Sequence, residues 1–385
     1  MTTFFAYEEL TWQDVKNLPR RTPLVIPLGT GYPAHLIAEA LSNPERIALL
    51  PPIPYGWRGS GLATPDSIFA KVVANLLDSL RDDGFSQIYA LAPAGLQLDL
   101  GTASLALPYR YILPSAGSSP TANFPPDADL NKVVIIPIGH TEQHGHHLPL
   151  STDTIIIDAI AQGVVNQKPD LATMLPTMPY GVSTHRQSFA GTLNMGGRAF
   201  EDFFLAVVDQ LVWRGVQHIY LISGHGGNCS FLVNVVKYAG ERHRRIFCAT
   251  AWLYLSGANG VASLEKHRLS SIGGMGHACE LETSLLLHLR PDLVRLEQAV
   301  DETQFIASPN YYMDWVEGGA LIANPPWDDD TQTGAYGAGS LATAANGEIW
   351  LKAAIAEKIE HIQEILWQQS HREARRKAGF GLWGQ

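Results

Sequence analysis

Glu142, His144, His146, His147 and Asp153 fall within a dozen residues, directly after the apolar run Val133–Ile138. Imidazole and carboxylate are the usual ligands of zinc and its first-row neighbours, and one carboxylate can bridge two ions that together activate a water. A second group follows the run Ile219–Ser223: Ser223-Gly224-His225-Gly226-Gly227-Asn228. Its glycines allow the sharp turn that would bring His225 to a sheet edge, although glycine pairs after strands also cradle phosphates. A third group is His277, Glu280 and Glu282 in GHACELETS. On a helix, His277 and Glu280 share a face at i and i+3, and Glu282 points about half a revolution away. Glu282 reads equally well as an acidic residue favoured by the first turn of a helix. Cys279 has no Cys/His spacing around it and reads as a small buried hydrophobe.

These groups need elements to position them. Val133 to Ile138 is β-branched and bounded by Pro137 and Gly139, a buried strand feeding a loop. A helix over 153–166, a strand over 172–178, a helix over 198–213, and strands at 217–223 and 246–252 complete a βα alternation. Such alternation predicts an α/β fold, a mostly parallel sheet sandwiched between helices. At the ends of its strands the catalytic loops gather.

The first third of the chain repeats this rhythm without the ligands. PLVIPLG at 23–29 matches VIIPIG, LLPPIPYG at 49–56 matches MLPTMPYG at 174–181, and DDGFSQIYALAPAG at 82–95 matches 213–226. Three blocks in one order indicate an internal duplication. Opposite Glu142, His144 and His225 stand Tyr32, Ala34 and Ala94. The division expected is a degenerate repeat over 1–113, a Pro/Ser/Ala-rich linker over 114–131, and a ligand-bearing domain over 132–385. Within the first part, a helix is expected over 7–22 with Thr11 as its cap, and another opening at Thr64-Pro65-Asp66.

A formal charge of −10 and a pI near 5.7 argue against a nucleic-acid partner. The basic run His371–Lys377 reads as a solvated helix end. No long apolar run suggests a membrane span or signal peptide, and three cysteines form no disulfide framework, so a cytoplasmic protein is expected.

GHTEQHGHHLPLSTD, PYGVSTHRQSFAGTLN, ISGHGGN and GHACELETS, in this order, resemble the creatininase (creatinine amidohydrolase) family, as do the opening LTWQDVKNLPRRTPLVIPLG and the closing GAYGAGSLATAANGE. The resemblance covers about residues 131–365. It implies a binuclear metal hydrolase cleaving a C–N bond of a cyclic amide or formamide, through a metal-bridging hydroxide. Two divalent ions (Zn, Mn or Fe) would be held by Glu142, Asp153 and His225 and by His144, Asp153 and Glu280. Asp153 would bridge them, and His277 would transfer the proton. Family members that cleave creatinine carry glutamates where this chain has Gly227 and Gly276, which argues against creatinine as substrate. Tyr180, His185, Phe189 and Thr192 are candidates for lining the substrate pocket, with His140, His146 and His147 supporting the ligands. Trp315 and Trp327 lie in a Gly/Pro-rich loop that departs from the family pattern, a lid or an interface. A symmetric homo-oligomer, a hexamer or smaller, is implied. The rival readings are a non-catalytic scaffold on a hydrolase fold and a binuclear phosphoesterase; the absence of an Arg/Lys cluster near the ligands counts against the second.

Overall fold

The apolar runs become the strands of two four-stranded sheets in the computed structural model, which describes residues 2–93, 96, 98–99, 124–184, 188–315 and 318–380. The first sheet contains β1 (Thr3–Ala6), β2 (Leu24–Pro27), β3 (Arg46–Leu49) and β4 (Ile88–Leu91), in the spatial order β1-β3-β2-β4. The second contains β5 (Val133–Ile138), β6 (Ala172–Met174), β7 (His218–Ser223) and β8 (Phe247–Thr250), in the order β6-β5-β7-β8. Every pair in both is parallel. β5 is central and buried at all its positions, as an all-apolar strand covered on both faces must be.

Helices cover the sheets: α1 (Trp12–Asn17), α2 (Ala34–Ala40), α3 (Asp66–Asp82), α4 (Thr152–Gln167), α5 (Gly197–Trp213), α6 (Gly226–Arg242), α7 (Ala258–His267), α8 (Glu280–Leu289) and α9 (Ala344–Lys377). A short antiparallel ladder joins β9 (Met275–His277) to β10 (Tyr336–Gly337). The α/β expectation is met. No described helix is long and apolar enough to cross a membrane.

Two local expectations are corrected, and one strand is added. The helix expected over 7–22 breaks into a 3-10 turn at Tyr7–Glu9 and α1, because Leu10 is extended and Thr11 starts α1 afresh through a capping box with Asp14. The strand expected to reach residue 178 stops at Met174, beyond which prolines 176 and 179 interrupt the donor ladder and leave one bridge, Ile138 to Met178. β1 escaped a period-two reading because it is four residues long and pairs only with β3.

The halves meet along α3 and α5. Phe200, Phe203 and Phe204 are wholly buried on α5, each contributing about 2 kcal/mol of apolar burial. Phe203 stacks on Tyr55 at 6.1 Å. Polar contacts fix the register: the Asn194 N–H donates to Ser79 Oγ (3.0 Å), and the Gly191 N–H donates to Asp83 Oδ2 (2.8 Å). One buried core runs through both halves. Of the linker expected over 114–131, residues 114–123 lie outside the described set; beyond them, Arg214 clamps Pro125 O and Asp127 Oδ1, both at 2.7 Å.

On the other face, α9 buries Trp350, Ile355, Ile362 and Ile365 together with an ion pair, Lys358 Nζ to Glu357 Oε1 at 2.7 Å. Each side chain is 1% exposed. Breaking one side of a buried pair strands the other charge, so Lys358→Ala is expected to cost about 3–5 kcal/mol in denaturant unfolding. Glu357→Gln/Lys358→Met should cost much less. A Lys358→Ala cost below ~1 kcal/mol would show that the pair is not structural.

Candidate metal centre

β5, β6 and β7 end together, and the loops that leave them are tied at once. The Gly139 N–H donates to Met178 O (2.8 Å) and the Gly224 N–H to Ile138 O (2.9 Å). The loop carrying Glu142 and His144 is pinned from the N-terminal segment: the Leu150 N–H bonds Leu10 O at 2.9 Å and the Ser151 N–H bonds Glu8 O at 3.0 Å. Asp153 and Glu282 sit in the first turns of α4 and α8, and His225 immediately precedes α6. Carboxylates in first turns are favoured by the partial positive charge of the helix start.

These elements converge on one buried cluster. His144 Nε2 lies 3.2 Å from Asp153 Oδ1 and 3.9 Å from Glu282 Oε1. His225 Nδ1 lies 2.9 Å from Glu142 Oε1 and 3.4 Å from Asp153 Oδ2. His277 Nδ1 lies 3.9 Å from Glu142 Oε1. None of these side chains is more than 4% exposed. Among the described residues, two groups built from them hold three donor atoms each within 4.8 Å of one another: Glu142, His144 and His277, and His144, Asp153 and Glu282.

Backbone carbonyls hold the opposite ring nitrogens. His144 Nδ1 donates to Glu142 O (3.1 Å), His225 Nε2 to Val182 O (2.9 Å) and His277 Nε2 to Gln143 O (2.7 Å). A backbone carbonyl only accepts, so each of these nitrogens carries a proton, and the other nitrogen of the ring faces the carboxylates, where it can hold a second proton or a metal ion. That is how metal-ligating histidines are held. His140 is arranged the other way. Its Nδ1 accepts the Gly181 N–H at 2.9 Å, which leaves the proton on Nε2, 3.9 Å from Glu142 Oε2. His140 therefore presents a donor, not a ligand atom, although it falls within 4.8 Å of Glu142 and His225.

Electrostatics favour a cation here. Burial alone would lower the imidazoles, but Asp153 raises His144 to about 8, and Glu142 with Asp153 raises His225 to about 9. Burial would raise Asp153, yet His144 and His225 hold it below the ordinary carboxylate range. Three carboxylates sharing one buried pocket with imidazole nitrogens attract protons or metal ions. The donor set fits divalent zinc, manganese or iron.

The structure brings together Glu142, His144, Asp153, His225 and His277. It does not bring Glu280. Both Glu280 oxygens accept backbone N–H groups, from Leu269 and Ser270, each at 2.8 Å. Glu282 takes the position beside His144 instead. The helical i, i+3 argument fails because His277 lies in β9 and α8 begins only at Glu280, after Ala278 at a φ of 48°. The Tyr180 hydroxyl is spent on Pro51 O (2.6 Å) in the other half of the chain, and Thr192 Oγ1 accepts the Gln143 N–H (3.2 Å), holding the ligand loop rather than lining an opening. His185 lies outside the described residues, as does Ala94. Phe189 is buried edge-on to Trp12. His147, pushed down to about 4 by burial, is tied to Thr283 Oγ1 at 2.9 Å. Trp327 is buried edge-on to His277, with ring centroids 5.1 Å apart, so this part of the Gly/Pro-rich loop turns inward. Burial pushes Cys229 and Cys248 up to about 12 and also holds Cys279 well above the ordinary thiol range, which leaves three inert thiols.

Two glycines decide which other ligands fit. A Cβ on Gly227 would stand 2.3 Å from His225 Nε2 and 2.4 Å from Val182 O, breaking the bond that orients His225. A Cβ on Gly276 would stand 2.6 Å from Tyr336 O. Both positions are closed to glutamate by backbone. Gly227→Ala is expected to cost about 1–3 kcal/mol in thermal unfolding through this overpacking and to shift the His225 imidazole resonances; an unperturbed imidazole would refute the role given to Val182 O.

Comparison with known proteins follows this geometry. The family model described as creatinine amidohydrolase matches residues 123–362, more than half of the chain. A mycofactocin precursor peptide peptidase from Mycolicibacterium smegmatis is 32% identical over 224 residues, 56% of this chain and 78% of that protein. The peptidase of the same name from Mycobacterium ulcerans is 32% identical over 169 residues, and the chain spans only 60% of its length. A manganese form of creatininase superposes with a TM-score of 0.51 at 22% identity, covering 62% of this chain and 93% of that one. With the fold and the buried His/Glu/Asp cluster in place, the match of the family model over residues 123–362 makes the chain a member of the creatininase family.

Proposed function

We propose that this chain is a metal-dependent hydrolase that cleaves the C–N bond of an amide. The observation that carries the reading is the division of one carboxylate between two imidazoles. Asp153 turns Oδ1 to His144 and Oδ2 to His225, so each oxygen belongs to a separate donor set. One ion would be held by Glu142, Asp153 and His225, the other by His144, Asp153 and Glu282. When bound, a pair of divalent ions supplies carbonyl polarisation and an activated water.

The chain's own residues do the rest. The Gln143 carbonyl holds the proton of His277 on Nε2 and turns Nδ1 towards the cluster, where it takes a proton and returns it to the leaving nitrogen. General acid–base help of this kind is worth about 10²–10⁴ in rate. Trp327 packs edge-on against that imidazole and helps to hold the ring in place. The substrate class is cyclic amides and formamides, to which the peptidases' names add short peptides. Gly227 and Gly276 deny the chain the glutamates of creatinine-cleaving members, so creatinine is placed last.

Metal content tests the reading first. Protein purified without chelator should carry about two divalent ions per chain, and Asp153→Ala should lose both. Glu282→Gln is expected to weaken the second ion tenfold or more; Glu280→Gln should leave both ions and lower thermal stability instead, because it weakens two backbone bonds. His277→Ala should keep the metal and lose 10²–10⁴ in turnover of whichever amide is cleaved. No bound ions in the wild type, or a metal-replete His277→Ala with full activity, would overturn the proposal.

The imidazoles set a pH dependence. His144 and His225 hold protons up to about 8 and 9 in the folded chain, above the ordinary 6.5. Their contribution to metal-free stability is complete below about pH 6.5 and is lost as the pH rises through 8 and 9. Metal displaces those protons, so apparent zinc affinity should rise across the same interval, with proton release seen in calorimetry as a buffer-dependent heat. Affinity independent of pH between 6.5 and 9 would contradict the ligand assignment.

A further inference from the structure

The loop after β8 holds two leucines in the left-handed region, Leu253 at a φ of 46° and Leu255 at 56°. Branched side chains avoid that region because Cβ crowds the backbone, so the surroundings must impose it. They do so from three sides. Lys358 Nζ donates to Leu253 O at 2.9 Å, and the Glu357 carboxylate accepts the Gly257 N–H at 2.8 Å. Trp315 Nε1 donates to Tyr254 O at 2.8 Å and lays its ring against the tyrosine, with centroids 4.9 Å apart.

Tyr254 stands between the two leucines. It is wholly buried, and its hydroxyl has no hydrogen-bond partner among the described residues. It packs in one cluster with Cys229, Met275, Ala278, Cys279 and Leu281, which belong to the segments bearing His225, His277 and Glu282. Burial, then the charges of Glu282 and Asp153, raise the phenol well above its ordinary range. A buried hydroxyl left unpaired is destabilising, and a strained, triply anchored loop is not needed merely to fill space. The cluster beside it is rich in acceptors, for Glu142, Asp153 and Glu282 all bring carboxylates to it.

We propose that Tyr254 is a further catalytic residue whose hydroxyl donates a hydrogen bond to the oxygen of the amide carbonyl as it gains negative charge at the cluster. Preorganised donors of this kind act where charge develops. The inference rests on the metal-hydrolase reading. The ligand class it recognises is a compact oxygen donor, such as an amide carbonyl on its way to an alkoxide.

The test uses the full chain loaded with zinc, as wild type and as Tyr254→Phe, with acetohydroxamate as the probe. Zinc content is measured first, then the thermal midpoint without metal, then acetohydroxamate affinity by calorimetry. The expected result is equal zinc content, an unchanged or higher midpoint in Tyr254→Phe because an unpaired buried hydroxyl is gone, and about tenfold weaker acetohydroxamate binding. A structural tyrosine would give a lower midpoint, or a variant that does not fold, and either overturns the proposal. Equal probe affinity in two zinc-replete proteins overturns the role of the hydroxyl alone. A wild type that binds no zinc, manganese or iron overturns the hydrolase reading and this inference with it.

Discussion

Buried negative charge is the constraint on which this molecule turns. Glu142, Asp153 and Glu282 are kept out of water within a few ångströms of one another, an arrangement that is costly unless positive charge joins it. Much of the surrounding structure manages that cost. Two of the carboxylates stand in the first turns of helices, imidazole nitrogens face them, and backbone carbonyls hold the rings of His144 and His225 by their far nitrogens. The parallel sheet supplies the convergence: strands β5, β6 and β7 end side by side, and their loops open onto one place.

The N-terminal half serves this arrangement from outside. Its sheet carries β3-β2-β4 in the order in which the second carries β6-β5-β7, and its helix α3 packs on α5. Its chain carbonyls at Leu10 and Glu8 hold the loop behind Glu142 and His144. Trp12 reaches further, donating from Nε1 to Thr333 O at 2.8 Å and lying 5.4 Å from the His146 ring. Support for the site thus comes from residues that bear no ligand.

The legible part of this structure was whatever depends on short-range pattern. β-branched runs bounded by glycine and proline marked β2, β5 and β7, and the apolar face of α5 was visible at helical spacing. Glu142, His144, Asp153, His225 and His277 were legible because chemistry and spacing agreed with a family pattern. What failed was three-dimensional. Glu282 and not Glu280 stands beside His144 because helix α8 starts three residues later than the i, i+3 argument requires, and nothing local announces the left-handed Ala278. Tyr180 stands in a loop that offered pocket candidates, and what no local pattern shows is that its hydroxyl partner is Pro51, far earlier in the chain. Tyr254 carries no motif; only the strain beside it and its unpaired hydroxyl draw notice.

The bonds from Leu150 and Ser151 to the carbonyls of Leu10 and Glu8 also bear on how the molecule acquires its shape. They close a very long stretch of chain, and contacts of such sequence separation form slowly because the entropy of loop closure must be met before they contribute. The ligand loop therefore cannot settle until the segment around Leu10 has found the segment around Leu150. Chemistry-competent geometry is a late event in folding. Until then, the carboxylates remain in water, apart, and without the mutual repulsion that the finished pocket has to contain.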